Sequence, residues 1–111
     1  MAIKNEPSLD RIFQALSHET RRQMLARLME EPGVTAGAFA EQFDAAQPTV
    51  SRHLAQLERA GLVTRRVEGR SHSFFANAEE LSKADSWLSD HRMFWSRSLK
   101  RLGAYLDEDD E

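Results

Sequence analysis

AAQPTVSRHLAQLERAGLV, residues 45–63, is the stretch whose reading decides the fold. Gln47 and Pro48 mark a helix start, because a proline in the first turn forfeits no needed N–H and already has a helical φ. Val50, Leu54 and Leu57 recur at i, i+4 and i+7, one face of a helix. Arg52, Gln56 and Arg59 fall on the other side. Gly61 is a stop signal, and Leu62 behind it can close the helix end with an apolar contact. The result is a short helix with one greasy side and one side of polar and cationic donors. An ordinary surface helix with a solvated face has the same pattern, so the flanking chain must decide between the two.

Upstream, Ser8 is read as the cap of a first helix with Leu9, Ile12, Phe13 and Leu16 on one face. Ser17 is read as the cap of a second, HETRRQMLARLMEE, with apolar Met24, Leu25, Leu28 and Met29; Pro32-Gly33 ends it. Arg27 reads as part of a solvated face. Arg21 and Arg22 lie near the helix start, where a cation opposes the dipole, and that misfit favours a phosphate contact. Thr35 caps a third helix, AGAFAEQF, in which Gly37 and Ala40 let another helix cross closely and Phe39 and Phe43 are core. Residues 44–46 are a brief connector. Two short helices joined by such a turn suit a helix-turn-helix, in which the stretch 45–63 would supply the helix that lies in the DNA major groove.

Downstream, the period changes from helical to alternating. LVTRRV and SHSFFA are strand-like runs around Glu68-Gly69-Arg70, with Gly69 supplying the turn backbone. A hairpin directly behind a recognition helix is a wing, with Arg70 at its tip and Arg65 and Arg66 on the outgoing strand, placed to reach phosphates or a narrow minor groove. Asn77, with Glu80 three residues on, opens a last helix predicted to run over residues 78–106, about 40 Å at about 1.5 Å per residue. Leu81, Ala84, Leu88, His91, Trp95, Leu99, Leu102 and Leu106 alternate by threes and fours as in a two-helix seam, widened by Trp87, Phe94 and Tyr105. So small a domain can hardly cover such a stripe alone, and a second copy in a twofold dimer is the usual cover.

The chain has 111 residues, enough for one small domain, predicted over residues 8–106 between a flexible N-terminus (1–7) and an acidic tail (107–111). It has no cysteine, which excludes disulfides and thiolate sites and fits a reducing cytoplasm. No apolar run reaches transmembrane length, and residues 1–9 lack a signal-peptide core. The net charge of −3 is unevenly placed: DEDDE at the end holds five negative charges, without which the balance is +2. Residues 47–76 carry five Arg against two Glu, a local +3 that suits a nucleic-acid partner better than the total suggests. No paired carboxylates, nucleophile–base set or Gly-rich phosphate loop occurs at a useful spacing, which speaks against an enzyme.

The order helix, helix, short helix, recognition helix, wing, long helix resembles the ArsR/SmtB-type winged-helix repressors over roughly residues 9–106. LSHETRRQMLARL resembles that family's second-helix opening. QPTVSRHLAQLERAGLVTRRVEGRSHSFFA resembles its recognition helix and wing, in order and without gaps. DHRMFWSRSLKRLGAYL resembles a branch with no obvious metal site. The resemblance implies a mainly α fold with a β-hairpin wing, and a winged helix-turn-helix that dimerises through its first and last helices. It also implies a cytoplasmic homodimer that binds a palindromic double-stranded DNA operator and blocks transcription.

Gln47, Thr49, Ser51 and Arg52 are then the candidates for base and nearby phosphate contacts, supported by Arg65, Arg66, Arg70, Arg21 and Arg22. His53, at the edge of the apolar arc, reads as structural. Leu9, Ile12, Leu88, His91, Trp95, Leu99, Leu102 and Leu106 are the candidate dimer residues. Metal-sensing relatives use third-helix cysteines, or an Asp-x-His and a second His on the last helix. Here the third helix has no thiol, and Ser89 stands two before His91 with no His after it. No cofactor or metal is therefore expected, and the inducing molecule is left open. Three alternatives stand beside this reading: a metal site across the dimer from His91 with Asp85 or Asp90, an apolar inducer against Trp87, Phe94 and Trp95, and a winged helix used for protein interaction.

Overall fold

Apolar spacing along the first two-thirds of the chain builds one core beneath a small sheet. The structure, a computed structural model, describes residues 7–109. Its elements are α1 (Pro7–Leu16), α2 (Glu19–Glu30), β1 (Val34–Thr35), α3 (Ala36–Phe43), α4 (Gln47–Arg59), β2 (Val63–Glu68), β3 (Ser71–Ala76), α5 (Ala78–Asp90) and α6 (Arg92–Asp109). Of the two expected tails, residues 1–6 and 110–111 lie outside the described residues. Pro7 already belongs to α1, and the backbone of 107–109 continues α6. Ile12, Met24, Leu28, Phe39, Leu54 and Leu57 fill the centre with almost no exposure. Among the described residues, no helix is long and apolar enough to cross a membrane.

The hairpin predicted around Glu68-Gly69-Arg70 forms with Val63 opposite Ala76 and Glu68 opposite Ser71. Gly69 turns it at φ +61°, where a Cβ would be strained. The sheet also holds β1, which pairs antiparallel with β3 (Val34 opposite Phe74) and gives the order β1-β3-β2. Two residues are too few to show alternation, so no pattern in the sequence marks β1. Its effect is to tie the start of α3 to the wing. The α3 cap is as expected: the Thr35 hydroxyl accepts from the Ala38 N–H at 3.2 Å.

Helix α4 ends as Gly61 and Leu62 suggest. The Leu62 N–H bonds the Leu57 carbonyl at 3.0 Å and the Gly61 N–H bonds that of Glu58 at 2.9 Å, a Schellman ending with Gly61 at φ +79°. Leu62 is fully buried, so the same turn that stops the helix anchors the wing to the core.

Several expectations need correcting. Ser8 lies inside α1, whose first residue is Pro7. Ser17 does not cap α2: its hydroxyl donates to the Gln14 carbonyl at 2.6 Å, closing α1, and His18 is the residue before α2. Met29 is exposed, whereas Ala15 takes a buried place on α1. Arg27 is not on a solvated face. It donates to the Gln42 side chain and, at 3.5 Å, to the Ala38 carbonyl, and it lies 5.3 Å from the Phe39 ring centre, joining α2 to α3.

The largest difference is in the long helix, which is two helices. His91 leaves helical geometry (φ −107°, ψ 11°), and its N–H turns to the carbonyls of Leu88 and Ser89. The Trp87 carbonyl that a continuous helix would have assigned to that N–H receives the His91 imidazole Nδ1 instead, at 2.7 Å. A side chain thus replaces one rung of the helix ladder. Asn77 caps α5 by accepting from the Glu80 N–H at 3.4 Å. The box stays open on its other side: Glu80 pairs with Lys83 at 2.9 Å, and the Asn77 N–H goes to the Leu62 carbonyl at 2.8 Å.

Candidate nucleic-acid interface

Three buried residues, Val50, Leu54 and Leu57, hold α4 against the core and so fix which side faces out. Gln47, Thr49, Ser51 and Arg52 are all exposed, clustered in its first two turns. The sheet then brings the wing alongside. Gln47 and Ser51 share one cleft of about 520 Å³ with Arg65, Arg70, Ser71 and His72 of the hairpin and Thr35 at the start of α3. Residues more than twenty positions apart in sequence therefore face one concave surface with donors on both walls.

The cations of the wing are not equivalent. Arg65 bonds Glu58 of α4 at 2.5 Å, lies 3.3 Å from the His72 ring nitrogen, and stacks 5.0 Å from the Phe74 ring centre. It ties the wing to the recognition helix as much as it offers a charge. Arg66, one residue on and therefore on the opposite face, covers Phe75 at 4.9 Å and keeps an exposed head. Arg70, at the turn, is exposed and lines the cleft.

The two arginines of the α2 opening also part company. Arg22 donates to the Leu16 carbonyl at 2.6 Å, satisfying the end of α1, so its guanidinium has a structural task that the dipole argument did not foresee. Arg21 turns towards α4 and lines a separate recess with Arg11, Gln14, Gln56 and Arg59. Arg11, Gln14 and Arg59 were not among the candidate site residues. Their only sequence signal is a cation on each of two helices whose crossing the sequence does not reveal. Beside this recess His18 and His53 face each other with ring centres 4.6 Å apart. Burial, then the neighbouring His18, Arg21 and Arg52, push the His53 imidazole below its usual range.

The candidate dimer residues divide sharply. Ile12 is fully buried inside the chain's own core and cannot reach a partner, which corrects that assignment; Leu9 packs at the core's edge. On α5, Ala84 is buried and Leu81 packs against the core. From Leu88 onward the stripe is bare: Leu99 is 66% exposed, Leu102 54% and Leu106 56%. Phe13, Trp87, His91, Trp95 and Phe94 form an aromatic chain across the α5–α6 break, with Trp87 stacked on His91 at 4.4 Å.

A family profile described as a helix-turn-helix domain matches residues 16–66. The transcriptional repressor SdpR of Bacillus subtilis is 30% identical over 80 residues, 72% of this chain and 88% of its own. The HTH-type transcriptional regulator Rv2034 of Mycobacterium tuberculosis is 31% identical over 102 residues, 92% of each chain. A crystal structure of an ArsR family transcriptional regulator superposes with a TM-score of 0.74 at 32% identity, over 85% of this chain and 97% of that one.

The chain belongs to the ArsR family of transcriptional regulators. It is accordingly a DNA-binding regulator of transcription built on a winged helix-turn-helix. Some members of this family carry a metal site made by cysteines or paired histidines. This ArsR-family chain has no cysteine, and among the described residues of the single chain no three His, Asp or Glu side chains gather as ligands would. The Nδ1 of His91, the one histidine of the last helices, is committed to the Trp87 carbonyl.

Proposed function

We propose that this chain is a sequence-specific repressor that acts as a homodimer on a palindromic operator, without bound metal. The observation that carries the reading is the shared cleft between the exposed start of α4 and the wing. Gln47, Thr49, Ser51 and Arg52 can present hydrogen-bonding groups to base edges, while Arg70, which lines the cleft, and Arg66, exposed on the wing, supply cations for phosphates. Arg52 is the strongest candidate for base discrimination, since a guanidinium can bind guanine O6 and N7 together. Arg65 works chiefly by fixing the wing against α4. Arg21 serves at the α2 end, and Arg22 mainly closes α1. The sign of regulation follows the Bacillus subtilis relative, which is named a repressor.

Homodimerisation is supported by α6. Helices in proteins draw most of their stability from packing an apolar face, and α6 leaves Met93, Phe94, Leu99, Leu102 and Tyr105 uncovered by its own chain. A second copy fits the charge pattern of the sequence. Residues 92–101 contain four Arg and Lys and no acid, whereas 107–111 are all acidic. Two such helices laid antiparallel about a twofold axis bring opposite charges together. The two recognition helices would then enter successive major grooves about 34–36 Å apart.

Selection of bound fragments from random DNA tests the whole reading. A symmetric motif with half-sites one helical turn apart is the expected result, and an asymmetric or absent motif overturns it. On the selected site, affinity should fall steeply with salt. Arg52→Ala should relax base preference by about 1–3 kcal/mol at one position of each half-site. Arg70→Ala should weaken many sequences alike; the reverse pattern would exchange the two roles.

A further inference from the structure

A second recess lies where α1, α2 and α4 meet, and of its lining only Arg21 entered the readout described above. Arg11 and Gln14 of α1, Arg21 of α2, and Gln56 and Arg59 of α4 surround a volume of about 590 Å³, with Ala15 and Ala60 lining its buried side. Among the described residues, no Asp or Glu lines it, and none of its three arginines is in an ion pair. The Nε of Arg21 is shut off from solvent with no acceptor within reach. Three like charges from three separate helices repel one another, and an unmet buried N–H is costly. The fold nevertheless brings them together, and the two small alanines leave the space between them open.

We propose that this recess is a socket for a phosphate group. A guanidinium offers paired N–H donors that match phosphate oxygens two at a time, and an anion relieves the repulsion among the arginines. Arg21 Nε gains an acceptor, and the amides of Gln14 and Gln56 add neutral donors. Gln56 and Arg59 follow Arg52 at i+4 and i+7, so the socket is continuous with the exposed face of α4. The phosphate has two possible sources with the same chemistry: a backbone diester beside each half-site, which rests on the DNA-binding reading, or a free phosphate, which does not.

The test uses the full chain with Arg11→Gln and Arg59→Gln, both at exposed positions, and Lys83→Gln as a control outside the recess. Inorganic phosphate is titrated while the arginine Nε–H resonances are followed by NMR. The Arg21 Nε–H signal should shift, with each arginine variant weakening the response about tenfold and Lys83→Gln leaving it unchanged. In parallel, the salt dependence of binding to the selected operator is measured; each arginine variant should flatten its logarithmic slope by about one. A flattened slope assigns the socket to the DNA backbone, and a phosphate response with unaltered slopes assigns it to a free phosphate. No phosphate response together with unaltered slopes overturns the socket. An equal effect of Lys83→Gln also overturns it, because bulk charge would then explain the data. Should the chain bind no DNA, the DNA-binding reading fails while the phosphate titration still decides the socket.

Discussion

Arg65 shows how a single contact changes what a residue contributes. By sequence it is one of five arginines in a basic stretch; in the structure its charge is largely answered by Glu58 at 2.5 Å. Both partners are about a third exposed, so the pair is worth roughly 0–1 kcal/mol to the fold. Its effect on DNA is larger in principle, since a cation already paired releases fewer counterions on binding. Glu58→Gln should therefore steepen the salt dependence of operator binding by about one in logarithmic slope, at little loss of stability. Anisotropy titrations across a salt series check this, and an unchanged slope would mean that Arg65 lies outside the DNA contact. His53 makes a second residue-scale prediction. Burial and the nearby His18, Arg21 and Arg52 lower its pKa in the folded chain. The unfolded chain then takes up the proton first, so stability is intact above the unfolded value of about 6.5 and declines as pH falls towards the depressed folded value. His53→Gln should flatten that acid-side decline in melting temperature measured between neutral and mildly acidic pH. An equal decline in the variant would place its cause elsewhere.

The elements show which features were legible in sequence. The hairpin was, because alternation and a turn glycine are local signals: β2 and β3 meet with Gly69 between them. The end of α4 was too, because Gly61 and Leu62 encode it within six residues. The break at His91 was not, since Leu88, Trp95 and Leu99 keep helical spacing straight through it. What interrupts the helix is the imidazole taking the Trp87 carbonyl, a competition between side chain and backbone that spacing does not register. The recess of Arg11, Arg21 and Arg59 escaped for a related reason: it depends on how three helices cross, just as Ile12, read on the apolar face of α1, went to the chain's own core rather than to a dimer contact. His91→Ala should return the Trp87 carbonyl to the backbone and straighten the junction. Spin labels at Ser82 and Lys100 would then report a longer and narrower distance distribution. An unaltered distribution would shift the cause of the break to the aromatic contacts around Trp87.

At the scale of the molecule, the shape itself calls for a partner. The radius of gyration is 18.2 Å, with extents of 61 × 41 × 21 Å. A compact chain of this length would measure about 13 Å. The excess is α6 projecting from the core with Leu99, Leu102 and Leu106 more than half exposed. If a second copy covers this face, each leucine there is buried twice over, once in each protomer. At about 1.5 kcal/mol for each leucine buried, Leu99→Glu with Leu102→Glu removes about 6 kcal/mol from association, more than four decades in Kd. Sedimentation at micromolar concentration should therefore find a dimer for the natural chain and a monomer for the double variant. Because neither leucine belongs to the buried core, the monomer should keep its winged domain, seen as an unchanged far-UV spectrum apart from partial loss of α6. Its operator affinity should drop towards that of a single half-site, while the Arg52-dependent base preference within a half-site persists. Retention of the dimer would move the interface off α6, and loss of half-site preference along with the dimer would mean that pairing also shapes the recognition helix.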